Sequence, residues 1–349
     1  MTRSGRVVLG WDIGGVNTKA VMVERGASGA DSLRSVSEAY ELQRDPDALV
    51  PTLLRLSRQL EARHIEAHAV TMTAELSQLF RTKREGVAFV LEAVEAAFPD
   101  DSIMVFTVGG SYITPAEARR RPLDVAASNW AAAAALVAGV EPEALMIDTG
   151  STTTDIIPIS GGRVRALGRT DPERLQSGEL VYTGAVRTPA EALVRTLPLP
   201  GGNAAVSAEG FALIGDALVW LGKLDPGAYA SPTPDGRPAT REFAGERLAR
   251  LVCADRDMLD DAAIGDIAAT LAEAQIDRIV EGIAAVRGRW PGISRAVVAG
   301  LGDFIAADAA TRADLSVVAL SDRLGNAAIT APAAAVALLL AAKTPSGTV

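Results

Sequence analysis

Two short stretches of this chain combine glycine, hydroxyl, carboxylate and cation in a pattern suited to gripping phosphate. The first reads Asp12-Ile13-Gly14-Gly15-Val16-Asn17-Thr18-Lys19. Consecutive small residues in a turn let backbone N–H groups converge on an anion. Glycine also admits a close approach that a side chain would block. Gly14, Gly15, Asn17 and Thr18 are therefore the expected phosphate contacts, and Lys19 adds a point charge. Asp12, at a strand end, can hold Mg2+ through water, because Mg2+ keeps much of its hydration shell. A plain tight hairpin with Asp as its turn residue explains the same stretch without chemistry. The second stretch, Asp148-Thr149-Gly150-Ser151-Thr152-Thr153-Thr154-Asp155, repeats the theme. Here Gly150, Ser151, Thr152 and Thr153 would meet phosphate, and the two carboxylates, Asp148 and Asp155, could hold a metal or take a proton. A threonine run is often only a strand, but the flanking carboxylates and Gly150 ask for more. A third segment, Val297 to Asp303, carries Gly300 and Gly302 in a turn that a nucleotide or other flat ligand could approach; such a short glycine pattern is weak by itself.

The elements that must position these residues alternate between strand and helix. Val7–Ile13 is apolar and β-branched, and Ala20–Val23 returns after the glycine turn. Val36–Leu42 reads as a third strand, and Pro46 opens an amphipathic helix to about Arg63. Further strands are expected at Ala69–Thr73 and Ile103–Thr107, and helices at Gly86–Ala97 and Leu123–Val137. The opening then recurs: strand Ala144–Asp148, turn, strand Thr154–Ile159, and a third strand over Val164–Leu167. A strand–Asp–x–Gly–turn–strand hairpin occurring twice predicts two lobes on one plan, residues 1–142 and 143–349. The second lobe is mainly helical, with Ala208–Leu221, Arg241–Leu251, Ile264–Val286 and Thr330–Leu340, and a late strand at Arg295–Ala299. Leu224–Ala239, rich in Pro, Gly, Ser and Asp, reads as an exposed loop.

The chain has 349 residues, 48% apolar and 22% charged, which is an ordinary globular balance. Its net charge of −9 disfavours nucleic acid and anionic membranes as partners, so any phosphate site must be locally positive. Cys253 is the only cysteine, which rules out an internal disulfide and a cysteine-cluster metal site. The apolar opening is interrupted early by Asp12 and Asn17, against a signal peptide. No apolar stretch reaches the ~18 residues expected of a membrane span; Ala331–Ala342 reads as a buried helix, and a cytoplasmic protein is expected. His64 and His68 are four apart but straddle a predicted helix end, and Asp257, Asp260 and Asp261 with Glu246 read as an exposed helix start.

In order and spacing, the three glycine elements resemble the superfamily of actin, hexokinase and the large heat-shock chaperones over roughly Val7 to Gly302. That resemblance implies an α/β fold of two actin-like (ribonuclease H-like) lobes around a central phosphate-binding cleft, with Asp12 and Asp148 facing each other and an adenosine-type turn at Gly300 and Gly302. Val16 departs from it, since the kinase-type loop has a threonine after its two glycines; this weighs against ATP as the ligand. Closer similarity is to the hydantoinase/oxoprolinase branch, and within it to tetrahydromethanopterin-linked C1-transfer pathway proteins. It runs through Gly10–Lys19, Thr71–Leu76, Thr82–Val87, Ser128-Asn129-Trp130, Asp148–Pro158, Gly178–Gly184, Arg187-Thr188-Pro189 and Asp235–Pro238. Archaeal members join a furan-methylamine diphosphate to γ-glutamyltyramine, forming an aryl ether and releasing diphosphate. The resemblance implies the same transferase chemistry here, with Mg2+, small-molecule diphosphate and phenolic amine substrates, and the assembly, a homodimer included, left open. A leaving diphosphate needs donors and cations, for which Lys19, Lys83 and Arg84 are candidates. The phenol needs a base, for which Asp155 and Glu75 are candidates. Asn129 and Trp130 would line the pocket, the indole stacking on a ring; core filling is the plain alternative for Trp130, and solvated helix-end charges for Lys83 and Arg84. An ATP-dependent kinase or amide-forming enzyme and a non-enzymatic nucleotide-binding scaffold are the competing functions.

Overall fold

The computed structural model describes residues 6–25, 31–229 and 231–343. They form two compact units, and the chain passes between them four times: residues 1–144, 159–173 and 320–349 make the first, residues 145–158 and 174–319 the second. The boundary expected near residue 142 is thus the first of several crossings.

The first unit is built on a six-stranded sheet in the order Asp31–Ala39, Asn17–Arg25, Arg6–Ile13, Ile65–Met72, Ile103–Phe106, Tyr112–Ile113. Arg6–Ile13 pairs antiparallel with Asn17–Arg25 and parallel with Ile65–Met72. The helix Lys83–Ala97 connects the parallel strands Ile65–Met72 and Ile103–Phe106. Central strands flanked on both faces must be apolar throughout, and Arg6–Ile13 is buried from Val7 onward. The Ala-rich helix expected over Leu123–Val137 is shorter, Asn129–Ala138, because Ala126 is drawn into a parallel bridge with Met72.

The closing helix Ala331–Lys343 belongs to this first unit. Its alanines permit contact at backbone distance with the strand beneath: a Cβ on Gly10 would overlap the Ala333 carbonyl oxygen and lie 2.8 Å from Ala337 Cβ. By length and composition Ser321–Lys343 does reach what a membrane span requires, contrary to the expectation from sequence, and 67% of its apolar window is buried within the protein.

In the second unit the sheet order is Leu180–Val181, Thr154–Ser160, Ala144–Thr149, Arg295–Ala299, Ser316–Ala319. Arg295–Ala299 runs parallel to both of its neighbours, and the helix Asp303–Arg312 crosses over to Ser316–Ala319. Edge strand, hairpin, parallel strand, helix, parallel strand: the sequence of events matches the first unit. The helix expected over Ala208–Leu221 is confined to Ile214–Trp220, and a separate hairpin, Thr196–Leu199 with Gly202–Ala205, precedes it. Asp260 caps the helix Asp261–Arg289 by accepting from the Ala263 amide at 2.9 Å, so part of that acidic cluster is a helix start. His68 is fully buried on a strand and accepts from Trp11 Nε1 through Nδ1 at 3.0 Å; its Nε2 therefore donates to Asp101 Oδ2, also at 3.0 Å. It shares no helix face with His64, and among the described residues no three His, Cys, Asp or Glu side chains gather as a metal cluster.

The Gly10 contact is directly testable. Gly10→Val should lower unfolding stability by about 1–3 kcal/mol or more, as overpacking does, measured as an earlier urea midpoint; an unchanged midpoint would mean the closing helix does not dock on this strand.

Candidate functional site

Each hairpin closes with the same turn. Gly14 N donates to Asn17 O at 3.0 Å, and Gly150 N donates to Thr153 O at 2.9 Å. The equivalence aligns Asp12 with Asp148, Gly15 with Ser151, Val16 with Thr152, and Lys19 with Asp155.

What surrounds the turns is also alike. In the first loop the carbonyls of Gly15 and Val16 accept from Leu42 N at 3.0 Å and Tyr40 N at 3.1 Å. In the second, the Gly150 carbonyl accepts from Ala185 N at 2.9 Å, and the Ser151 carbonyl from Val186 N at 3.0 Å and Arg187 N at 2.9 Å. The amides of Gly15, Val16, Ser151 and Thr152 make no hydrogen bond among the described residues. Both loops thus commit their acceptors and keep donors in reserve, which is the composition of an anion nest. A Cβ on Gly15 would meet nothing within 4 Å, so open space adjoins the first loop.

Asp12 is 7% exposed, and its Oδ2 lies 3.7 Å from Lys19 Nζ, its cross-strand neighbour. Burial pushes its carboxyl above the ordinary range, with Lys19 opposing. Asp12 Oδ1 is buried without a hydrogen-bond partner, as are Asn17 Oδ1, Thr18 Oγ1 and the Tyr40 hydroxyl. So many orphaned polar atoms at one loop require an explanation, and the oxygen on Asp12 fits a hydrated cation. Asp148 is likewise buried at its strand end, 8% exposed.

The Gly300–Gly302 turn packs tightly against the second loop. Gly300 has φ +90°, and a Cβ there would overlap Asp148 Oδ1 and the Thr149 carbonyl oxygen; one on Gly302 would come within 2.6 Å of Thr149 Cγ2. Gly302 N donates to Thr149 O at 2.8 Å. The first unit has the counterpart: Thr73 N donates to Ile13 O at 2.9 Å. The segment after the parallel strand is Thr73-Ala74-Glu75 in one unit and Gly300-Leu301-Gly302 in the other. Glu75 therefore sits two residues beyond an amide anchored to the base of the first loop.

Glu75 is 2% exposed, and neither carboxylate oxygen has a hydrogen bond of good geometry. Burial lifts its carboxyl from 4.5 to about 7, against the pull of the Lys83 ammonium, whose Nζ is 3.8 Å from Glu75 Oε1. Gly86 makes this burial feasible: a Cβ there would stand 2.5 Å from Glu75 Cα. Lys83, at the start of its helix, also binds Asp171 Oδ2 at 2.7 Å.

The other candidates fall elsewhere. Asp155 is clasped by the buried Arg174 guanidinium. Arg84 is exposed and reaches the Arg119 carbonyl at 3.5 Å. Asn129 is half-buried at a helix start, and Trp130 is 2% exposed, packed as core. Sequence reasoning missed the brace of the second loop, Gly184 to Arg187. A Cβ on Gly184 would sit 2.5 Å from Thr152 N and 2.6 Å from Gly150 O. It also missed Arg174 and Asp171; no local pattern marks either.

Comparison with known proteins agrees with this duplicated plan. The hydantoinase/oxoprolinase family model matches residues 66–343. A (4-{4-[2-(gamma-L-glutamylamino)ethyl]phenoxymethyl}furan-2-yl)methanamine synthase of Methanocaldococcus jannaschii is 34% identical over 336 residues, 96% of this chain and 97% of that protein. One of the same name from Methanococcus vannielii is 32% identical over 206 residues, 58% of this chain and 92% of its own length. A nucleotide-free acetone carboxylase structure superposes with TM-score 0.57 at 12% identity, covering 95% of this chain and 70% of that one. The fold is the actin-like α/β fold.

Two outcomes check the site. Gly184→Ala would press a methyl onto the Thr152 amide, and diphosphate binding measured by isothermal titration should weaken at least about tenfold, the worth of one charge-assisted hydrogen bond. For Glu75, the folded carboxyl holds its proton to about 7 whereas an unfolded one releases it near 4.5. Its stabilising contribution is therefore complete below about 4.5 and lost as pH rises through about 7. Glu75→Gln should flatten the fall in urea midpoint across that window.

Proposed function

We propose that this chain, which belongs to the hydantoinase/oxoprolinase family and to the group of its furan-methanamine synthases, forms the aryl ether of a methanofuran-type cofactor precursor. The substrates are a furan-methylamine diphosphate and the phenol of γ-glutamyltyramine. The product named for the relatives contains a phenoxymethyl link, so the bond made is between the phenol oxygen and the furan methylene carbon. The bond broken is between that carbon and the diphosphate oxygen, which leaves with the electron pair. The observation that carries this reading is the pair of donor-rich loops, two hairpins with reserved amides suited to anionic oxygens.

Glu75 is the base we assign. With a carboxyl that titrates at about 7, it can accept the phenol proton at physiological pH. Asp155 is the weaker candidate because Arg174 holds it. In the first unit the amides of Gly15 and Val16 and the Lys19 ammonium, and in the second the amides of Ser151 and Thr152, are each suited to stabilise charge on a leaving diphosphate. Asp12 in the first unit and Asp148 in the second are each candidates to hold Mg2+, which when bound supplies further neutralisation of that charge. Thr152 keeps a hydroxyl where the first loop has Val16; the first loop so lacks a usual nucleotide-phosphate contact, which favours a diphosphate substrate over ATP.

The test is incubation of the purified protein with Mg2+ and both substrates, with and without ATP, and mass detection of the ether together with assay of released diphosphate. Ether formation without ATP is expected; product only with ATP, accompanied by ADP, would replace this reading by the kinase-type one. Glu75→Gln should lower kcat by about 10^2–10^4-fold, and Asp12→Asn should abolish the Mg2+ response while leaving the fold intact.

A further inference from the structure

We infer that Asp171 is a positioning residue: it holds the Lys83 ammonium in an ion pair of its own and so keeps that cation from neutralising Glu75. The inference rests on Glu75 being the base. Lys83 Nζ is 2.7 Å from Asp171 Oδ2, a full charge-assisted hydrogen bond, and 3.8 Å from Glu75 Oε1, outside hydrogen-bond reach. All three side chains lie in the first unit, Asp171 on the segment that returns to it from the second. The asymmetry matters because Glu75 is the buried partner and Asp171 the partly exposed one, with side-chain exposures of 0% and 18%. A lysine left to choose would pair with the unsatisfied buried carboxylate, where attraction is stronger. A base paired that way is a carboxylate of ordinary acidity, too weak to take a phenolic proton well.

The charged groups that face Glu75 are Lys83, from the helix Lys83–Ala97, and Asp171, from the start of the helix Asp171–Ser177. The amides of Glu75 itself and Ala127 favour its ionised form, and the like charge of Asp171 favours the protonated form. Asp171 therefore acts in two ways in one direction: directly through repulsion and indirectly by restraining Lys83. No residue of the phosphate loops takes part.

The test reads Glu75 itself, apart from turnover. The carboxyl-stretch band that disappears in Glu75→Gln is followed by infrared difference spectroscopy against pH in the wild type, Asp171→Asn, Lys83→Met and Lys83→Arg. Asp171→Asn should move its midpoint down by about 1 in pH, and Lys83→Met should move it up by a similar amount, as charges at this range do; Lys83→Arg should restore it most of the way. In the ether-forming assay the acid limb of kcat should follow the same two directions with KM nearly constant. A merely structural role would move both variants the same way or not at all, and either result overturns the inference. Opposite shifts in the band without ether formation by the wild type would leave Asp171 in its place and remove the transferase reading instead.

Discussion

Everything proposed for this protein depends on where the carbonyls of two four-residue turns are sent. A backbone loop carries equal numbers of donors and acceptors, and becomes a receptor for anions only when its acceptors are used internally. Here Tyr40 and Leu42 do this for the first loop and Ala185 to Arg187 for the second. The bracing segments are unrelated, one the exit of an edge strand and the other an irregular run, yet the outcome is the same. The glycines of the second loop's surroundings, Gly184, Gly300 and Gly302, lie so close to that loop that a Cβ on any of them would collide with it.

The duplication shows how one scaffold was turned to two tasks. After the parallel strand, the first unit continues into Thr73-Ala74-Glu75 and the second into Gly300-Leu301-Gly302, both tied by an amide to the residue after the loop's aspartate. The amide tied in this way belongs to Thr73 in the first unit and to Gly302 in the second, and the first unit buries Glu75 two residues further on. At the paired positions Lys19 and Asp155 the charges are opposite, and each is answered locally, by Asp12 and by Arg174.

Much of this was legible in the residues. The paired hairpins are local, set by β-branched strands and turn glycines, and the strand Arg295–Ala299 emerges as read. Glu75 was legible through its motif, though nothing local reveals that Gly86 lets a helix cover it. What could not be read were the partners chosen at long range. Asp171 meets Lys83 across 88 residues of chain and Arg174 meets Asp155 across 19; neither pair has a spacing that announces it. Trp130 admits two readings from sequence, ring stacking and core filling, and at 2% exposed in an Ala-rich helix packed against the closing helix it supplies core volume. Ala331–Ala342 reads from sequence as a buried helix and packs as one, although a core helix approached closely on several sides is as uniformly apolar as a span.

The docking of Ala331–Lys343 on the strand that holds Gly10 has a consequence for biosynthesis. The strand Arg6–Ile13 is covered by a helix that is translated only after the entire second unit. At ordinary elongation rates of about 5–20 residues per second, Arg6–Ile13 waits tens of seconds for its cover, exposing a ribbon that is apolar from Val7 to Trp11 meanwhile. The second unit, whose last strand ends at residue 319, is fully translated before that cover is made, so the apolar face of Arg6–Ile13 must be kept from aggregating until the closing helix docks.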